Sequence, residues 1–224
     1  MISTQKMQYS YTEENYLKSI YHLCDATIGN YTSTNHIATY MKIKPATVTN
    51  MLQKLKEKKL ITYKPYSKVT LNKSGKLVAL QVIRKHRLWE VFLVKKLAFT
   101  WDQVHDVAEQ LEHIQSAELI EKLDAFLQYP NIDTHGDPIP NADGELIQIP
   151  TKKLSEIKIG QSCKVVAVAD SSIELLRYLS EINIELGTKI ILKNKIEIAD
   201  TIIIKTQNKI IHISLKIANK ISVL

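Results

Sequence analysis

In the N-terminal part of the chain, apolar residues recur with the 3.6-residue period of amphipathic helices. The clearest segment begins at Pro45, which suits the first position of a helix, and its apolar side chains follow at i, i+3, i+4 and i+7. The predicted helices run from about Glu13 to Cys24, from about Thr34 to Tyr40, and onward from Pro45. Their predicted core residues are Tyr16, Leu17, Ile20, Leu23, Ile37, Ala38, Met41, Val48, Met51, Leu52 and Leu55.

Two short alternating segments come next, Leu60 to Tyr63 and Lys68 to Leu71, on either side of Pro65, Tyr66 and Ser67. Alternation on both sides of turn residues predicts a β-hairpin. Three short helices followed by a hairpin are the order of a winged helix-turn-helix domain. In such a domain the third helix enters the major groove of DNA, and the hairpin forms the wing.

The apolar pattern after residue 72 predicts two further domains. Longer helices are predicted from about Lys73 to Leu97, Trp101 to Gln115 and Ala117 to Tyr129, and a Pro- and Gly-containing connector follows. Beyond it, short isoleucine- and valine-rich runs predict a small, mostly antiparallel β-barrel. The predicted strands are Ser162 to Ala169, Thr188 to Leu192, Thr201 to Lys205 and Ile210 to Ser214, with a hairpin turn at Asn208 and Lys209 and a helix near Glu174 to Ile182. We therefore expect a mainly α protein with a small β part and domains at 1–72, 73–150 and 151–224.

The composition of the chain narrows its possible partners and location. The 224 residues carry a net charge of +7, and 45% of them are hydrophobic. Lysines crowd residues 54–76 while carboxylates collect at 102–145, a separation that favours nucleic acid over membrane as the partner. No apolar run approaches the roughly 18 residues needed to span a bilayer, and the N-terminus lacks a signal-peptide core. With only Cys24 and Cys163, both interpreted as structural thiols, a cytoplasmic location is expected.

The exposed side of the third predicted helix carries side chains typical of DNA contacts. Asn pairs with adenine, Thr offers a methyl group to thymine and a hydroxyl to phosphate, and Lys neutralises the backbone. A polar face is also what any amphipathic helix needs, so the interpretation depends on the hairpin and the order of elements. The candidates are Thr47, Asn50, Lys54 and Lys58 on the helix, Lys44 and Thr49 at its start, and Lys64, Lys68 and Tyr66 in the wing.

A second group of residues has the chemistry of a metal site. His105, Glu109, Glu112 and His113 lie at i, i+4, i+7 and i+8, which on one helix spans about 100° of its circumference. The preceding helix adds His86 and Glu90 at i and i+4. Carboxylates and imidazoles that converge favour a shared cation, and without thiolate they suit Mn²⁺ or Fe²⁺, while also taking Zn²⁺, Co²⁺ or Ni²⁺ in vitro.

Solvated ion pairs are the alternative for these residues, above all for His86 and Glu90. The other histidines have no matching partners in the sequence. His135 is interpreted as a loop residue rather than a ligand, and core or surface roles are expected for His22, His36 and His212.

Several segments of the chain resemble the diphtheria toxin repressor and manganese transport regulator family of metal-dependent repressors. The resemblance covers nearly the whole chain. It is carried by Glu14-Asn15-Tyr16-Leu17-Lys18 with Ile20-Tyr21, by Ala46-Thr47-Val48-Thr49, by Arg84-Lys85-His86-Arg87-Leu88 with Glu90, by Val104-His105-Asp106 with Glu112-His113, and by His135-Gly136-Asp137-Pro138-Ile139-Pro140. It implies a winged helix-turn-helix domain, a helical metal-binding and dimerisation domain, and an SH3-like (FeoA-like) domain.

The resemblance also implies ligand sets. One site would use His86, Glu90 and His105, with Glu174 of the SH3-like domain lending a side chain. A neighbouring site would use Glu109, Glu112 and His113 and be completed by Asn15. At the position of Asn15 the family usually has methionine in its iron branch and aspartate in its manganese branch. Glu109 stands where iron regulators carry cysteine, which favours Mn²⁺. The implied DNA-binding set adds Ala46 at the start of the recognition helix.

The expected function is that of a homodimeric, non-enzymatic repressor that binds double-stranded operator DNA, has Mn²⁺ or Fe²⁺ as corepressor, and controls metal-uptake genes. Two other classes stay open. One is a metal-dependent phosphohydrolase, because the dipeptide His105-Asp106 resembles one found in such enzymes. The other is a winged-helix regulator that responds to a small organic ligand instead of a metal.

Overall fold

The computed structural model of the chain describes residues 9–64, 67–147, 150–168, 173–207 and 209–224. It falls into two compact units. The first contains the chain up to His86 together with Leu111–Ile120 and Pro140–Glu145, and the second contains Arg87–Gln110, Glu121–Ile139 and Leu146–Leu224. In the described part of the chain, no helix combines the length and the apolar character needed to cross a bilayer.

The first unit begins with the predicted helices and hairpin. Helices α1 (Tyr11–Asp25), α2 (Thr34–Met41) and α3 (Pro45–Glu57) are followed by strands β1 (Ile61–Thr62) and β2 (Thr70–Leu71). Ser10 caps α1 in a capping box with Glu13, and Ser33 caps α2, so local polar contacts set where these helices start.

The core of this region confirms the predicted apolar faces. Most of the predicted residues are buried, while Leu23, Met41 and Met51 are half-buried at its edge. Strands β1 and β2 pair antiparallel, as the alternating pattern predicts. Pro65 and Tyr66, at the tip of the predicted wing, lie outside the described residues.

Helix α4 (Lys73–Leu97) has the predicted bounds, whereas the two helices after it are shorter than predicted. Helix α5 spans Val104–Leu111, because Thr100 to Gln103 form a turn before it and a further turn follows at Glu112 and His113. Helix α6 spans Ala117–Phe126 and ends before the predicted Tyr129. Gln128 and Tyr129 have left-handed φ angles of 62° and 54°, and a residue that precedes proline disfavours the helical conformation.

The C-terminal part of the second unit is an antiparallel sheet in the order β3-β8-β4-β5-β6-β7. Its strands are β3 (Lys152–Lys153), β4 (Ser162–Val168), β5 (Lys189–Ile196), β6 (Thr201–Lys205), β7 (Ile210–Ser214) and β8 (Ile221–Val223), with helices α7 (Ile173–Glu181) and α8 (Leu215–Ala218). The predicted antiparallel β domain is confirmed. Strands β3 and β8, which are too short to show alternation, were not predicted, and Asn208 of the predicted turn lies outside the described residues.

Alternate residues of these strands fill one core. Ile190 and Leu192 of β5, Ile202 and Ile204 of β6, and Ile213 of β7 are buried in it, and α7 covers it with Leu176 and Leu179. Cys163 is buried here and Cys24 in the first unit, both as free thiols, in agreement with the structural role predicted for them.

Candidate metal centres and DNA-binding surface

In the first unit, a fully buried carboxylate forms the centre of a polar cluster. Glu112, in the turn after α5, has no exposed surface. Both of its carboxylate oxygens accept hydrogen bonds of 2.8 Å from Nζ of Lys18 on α1, and Oε2 lies 2.6 Å from Nδ1 of His86 on α4. Burial acts to raise the pKa of Glu112, but the hydrogen bond with His86 and the charge of Lys18 hold it below its ordinary value. Glu112 is therefore a carboxylate.

The neighbouring histidine contacts a second buried carboxylate. Nδ1 of His113 lies 2.5 Å from Oε2 of Glu14, whose other oxygen accepts a hydrogen bond of 3.0 Å from Gln115. Lys85 Nζ is 3.5 Å from Glu14. Burial raises the pKa of Glu14, but the hydrogen bonds with His113 and Gln115 and the charge of Lys85 lower it further than burial raises it. Glu14 was not predicted as a site residue, because its role depends on a contact 99 positions along the chain.

Two of the buried polar atoms in the described part of this unit that lack a hydrogen bond belong to proposed metal ligands. Nε2 of His113 is buried and lies 3.4 Å from Oε1 of Glu112 without bonding to it, and Oδ1 of Asn15 on α1 also has no partner among the described residues. A buried donor or acceptor that is left unpaired costs about 1–3 kcal/mol. A metal ion supplies the missing interaction for both kinds of atom, since imidazole nitrogen and amide oxygen are metal ligands. The residues present therefore fit a divalent cation.

The second unit holds another group of ligand-type side chains. Nδ1 of His105 lies 3.5 Å from Oε1 of the buried Glu90, and Nε2 lies 3.6 Å from Glu109. Glu90 and His86 are one helical turn apart on α4, as their spacing predicts. The structure thus brings Glu90 together with His105, and His105 with Glu109.

The connector contributes two residues to this group that sequence reasoning missed. Glu90, Asp133 and His135 are all buried and have ligand atoms within 4.8 Å of one another. His135, interpreted from sequence as a loop residue without a ligand role, is only 5% exposed, and its Nδ1 lies 3.7 Å from Glu90. The sequence offered the i, i+2 spacing of Asp133 and His135 and the family-like segment that begins at His135, but no helical pattern connects either of them with Glu90.

The electrostatics of the connector group also favour a cation. Burial, together with the nearby carboxylate of Asp137, raises the pKa of Asp133 to about 6, although Arg87 lies 3.3 Å away. Burial lowers the pKa of His135, but the nearby negative charges of Glu90 and Asp133 raise it more. Burial and the neighbouring carboxylates thus disfavour the ionised form of Asp133, an effect that a bound cation would offset.

Glu174 does not join these residues. Its side chain is exposed on α7, and it belongs to none of the candidate metal-ligating groups found among the described residues. Its assignment as a ligand stays a prediction. Asp106, the partner of His105 in the phosphohydrolase-like dipeptide, is also exposed on α5 and belongs to none of these groups in the described part of the chain.

The residues predicted to contact DNA lie at the surface of the first unit. All of those on α3 and in the hairpin that the structure describes are exposed, except Thr49, which is half-buried and donates a hydrogen bond to the carbonyl of Pro45. Lys68 Nζ lies 3.8 Å from the centre of the Tyr31 ring. The set comprises Lys44, Ala46, Thr47, Thr49, Asn50, Lys54, Lys58, Lys64 and Lys68, and Tyr66 lies outside the described residues.

An open cavity of about 800 Å³ adjoins these residues, between the start of α2, the start of α3 and the hairpin. Its lining includes the hydroxyls of Ser33, Thr34 and Thr49 together with Lys68. Hydroxyl and ammonium groups at helix starts are typical contacts for DNA phosphates.

Comparison with known proteins gives matches along most of the chain. Residues 8–69 match the N-terminal DNA-binding domain of iron-dependent repressors, residues 72–141 match their metal-binding and dimerisation domain, and residues 152–224 match the FeoA domain. A solved manganese-dependent transcriptional repressor in complex with manganese is 33% identical, with a TM-score of 0.83 over 95% of this chain and 99% of that one.

Two curated relatives agree with these matches. An uncharacterised helix-turn-helix-type transcriptional regulator of Methanocaldococcus jannaschii is 34% identical over 115 residues, which are 51% of this chain and 91% of the relative. The diphtheria toxin repressor of Corynebacterium jeikeium is 29% identical over 147 residues, which are 66% of this chain and 60% of that protein.

Proposed function

Since the chain belongs to the diphtheria toxin repressor and manganese transport regulator family of metal-dependent transcriptional repressors, we propose that Mn²⁺ is its corepressor and that it controls metal-uptake genes. Fe²⁺ is the alternative corepressor. The candidate ligands are carboxylates, imidazoles and an amide without a thiolate, which suits Mn²⁺. A neighbour of the same fold that is named for manganese supports this choice.

The observation that carries the proposal is the unpaired Nε2 of His113 beside Glu112. An imidazole nitrogen that is buried next to a carboxylate would normally donate a hydrogen bond to it. At 3.4 Å without a bond, this nitrogen is instead available to a metal ion that binds both residues.

We assign the ligands as two sets. The first is His86, Glu90 and His105, to which Asp133 and His135 are added because they face Glu90, with Glu174 as a further candidate. The second is Glu109, Glu112, His113 and Asn15. Zn²⁺, Co²⁺ and Ni²⁺ would bind the same nitrogen and oxygen ligands in vitro.

In the proposed switch, metal binding would order the DNA-binding region. Asn15 lies on α1 of the DNA-binding region, while Glu112 and His113 lie in the turn after α5, so an ion that they share would hold α1 against that turn. A dimer has to present its two recognition helices about 34 Å apart, and rigidity at this spacing lowers the ordering cost of binding. A bound metal would supply positive charge at these carboxylates, and the rigidity that it gives would raise the affinity for operator DNA.

The experiment that tests this proposal compares operator affinity with and without metal. A duplex operator selected from random DNA in the presence of Mn²⁺ should bind about 5–150-fold more tightly in Mn²⁺ than in chelator, as a coupling of about 1–3 kcal/mol requires. Fluorescence anisotropy at one fixed salt concentration measures it, with Mg²⁺ as the control and anaerobic Fe²⁺ as the rival corepressor. Equal affinities in Mn²⁺ and in chelator would contradict the proposal.

A homodimer is the proposed assembly, formed by an apolar surface of the second unit. Three large apolar residues are more than half exposed: Leu97 at the end of α4, Phe126 at the end of α6, and the nearby Tyr129. All three lie in the region that matches a dimerisation domain. Nζ of Lys96, which precedes Leu97, lies 5.2 Å from the centre of the Phe126 ring, so the ends of α4 and α6 are adjacent, and exposed apolar residues there are typical of an interface.

Phe126→Asp is therefore expected to convert the dimer to a monomer, because it introduces a charge into that interface. Sedimentation velocity measures the change. Ile198→Asp is the matched control, since Ile198 is fully exposed in the C-terminal domain and outside the proposed interface. A dimer that survives Phe126→Asp at micromolar concentration would show that the interface lies elsewhere.

Operator DNA and a second copy of the chain are the proposed partners, and the cytoplasm is the proposed location. The three matched regions support domains at 1–72, 73–150 and 151–224.

We propose no enzymatic activity, because the exposed Asp106 does not accompany His105 as a phosphohydrolase would require. Because the chain belongs to a family of metal-dependent repressors, we propose a regulator that responds to a metal and not to a small organic ligand.

A further inference from the structure

A lysine ammonium already holds the carboxylate that the second metal site needs. Lys18 Nζ lies 2.8 Å from each oxygen of Glu112, a bidentate contact to a side chain with no exposed surface. The Lys18 side chain is itself only 14% exposed. The two residues lie 94 positions apart, so tertiary structure alone brings them together.

Ammonium groups compensate the two buried carboxylates of this cluster. Glu112 pairs with Lys18, and Glu14 is 3.5 Å from Lys85, so two buried carboxylates face two ammonium groups. A buried carboxylate needs such compensation, because removal of one partner of a buried pair is strongly destabilising. A divalent ion at Glu112 and His113 therefore brings two further positive charges close to an ammonium group.

That ammonium group opposes the ion in either of two ways. If it stays on Glu112, it repels the divalent ion at a distance of a few ångströms, where screening is weak because the site is buried. If it leaves Glu112, it gives up two charge-assisted hydrogen bonds. Both outcomes weaken the apparent affinity for the metal.

We propose that Lys18 is an affinity-determining residue, an internal competitor for Glu112 that raises the metal concentration at which the repressor switches. The inference rests on the proposed function in one respect, that Glu112 is a metal ligand. Lys18 supports the carboxylate in the metal-free protein, and the ion takes over that role when it binds. Its position on α1 places the exchange of partners on the first helix of the DNA-binding region.

Lys18→Met tests the proposal, because methionine keeps most of the side-chain volume and removes the charge. Electron paramagnetic resonance of free Mn²⁺ gives the affinity, which should become at least about tenfold tighter. Lys18→Arg retains the charge and should stay within about threefold of the parent protein. Lys76→Met is the control for net charge, since Lys76 is exposed near the start of α4. Circular dichroism checks that each variant is folded.

The outcomes separate this proposal from the proposed function. If the parent chain binds no Mn²⁺, the proposed function fails. If the parent binds Mn²⁺ and folded Lys18→Met binds it equally or more weakly, the role of Lys18 is wrong and the metal site stands. If Lys18→Met does not fold, the side-chain ammonium resonances of the ¹⁵N-lysine-labelled parent protein decide the matter. The Lys18 resonance should shift or disappear as diamagnetic Zn²⁺ fills the site, and an unchanged resonance at saturation would overturn the proposal.

Discussion

Replacing His113 by alanine should abolish the effect of Mn²⁺ on operator binding while leaving the weaker metal-free affinity in place. His113 places a buried, unpaired Nε2 next to Glu112, and its Nδ1 contacts Glu14 on α1. The variant therefore loses one proposed ligand and also the contact that links that ligand to the first helix. The ratio of affinities in Mn²⁺ and in chelator should fall from about 5–150 in the parent protein to about 1.

The measurement is fluorescence anisotropy with the selected operator at constant salt, because DNA affinity changes steeply with ionic strength. His212→Ala is the control, since His212 is exposed on β7 and has no proposed part in metal binding. It should keep the full response. If His113→Ala responds to Mn²⁺ as the parent does, His113 is not a ligand, and the ion that activates binding sits in the other proposed set.

Two substitutions on the recognition helix should separate stability from DNA recognition. Leu52 is fully buried in the core of the first unit, whereas Asn50, two positions earlier on α3, is exposed. Leu52→Ala removes buried methyl groups and leaves a cavity, so the free energy of unfolding should fall by about 2–5 kcal/mol. Asn50→Ala should leave that free energy nearly unchanged and relax the base preference at one operator position by about 1–3 kcal/mol.

Urea unfolding followed by circular dichroism measures the first effect, and operator binding to a panel of single-base variants measures the second. Each substitution serves as the control for the other, because both lie on the same helix. A uniform loss of affinity for all sequences in Asn50→Ala would mean that Asn50 contacts phosphate instead of a base.

Much of the fold could be predicted because its signals are local. The helical period of residues 13–57, the proline at the start of α3 and the alternation in β6 and β7 depend on near neighbours in the chain, and the structure reproduces these elements. The ends of α5 and α6 were less predictable. The helical pattern continues through Glu112 and His113, but the backbone turns there, and α6 stops where Gln128 and Tyr129 adopt left-handed angles.

The residues of the candidate site also differ in whether the sequence could predict them. The i, i+4 pairs on α4 and α5 were visible as spacings, since one helix turn brings such residues together. The carboxylate of Glu14 and the connector residues Asp133 and His135 had no such signal. Glu14 contacts His113, Asp133 contacts Arg87 and His135 contacts Glu90, and no periodicity relates positions so far apart in the chain.

By itself, the sequence determined which elements form, in what order, and which ligand types they carry, because helix and strand propensities and side-chain chemistry are properties of residues and their close neighbours. Tertiary structure alone decided which of these groups meet. It placed Lys18 on Glu112, buried His135 against Glu90 and left Nε2 of His113 without a partner. The reason is that contacts between distant residues depend on how helices and connector pack, and packing is a property of the whole chain rather than of any segment.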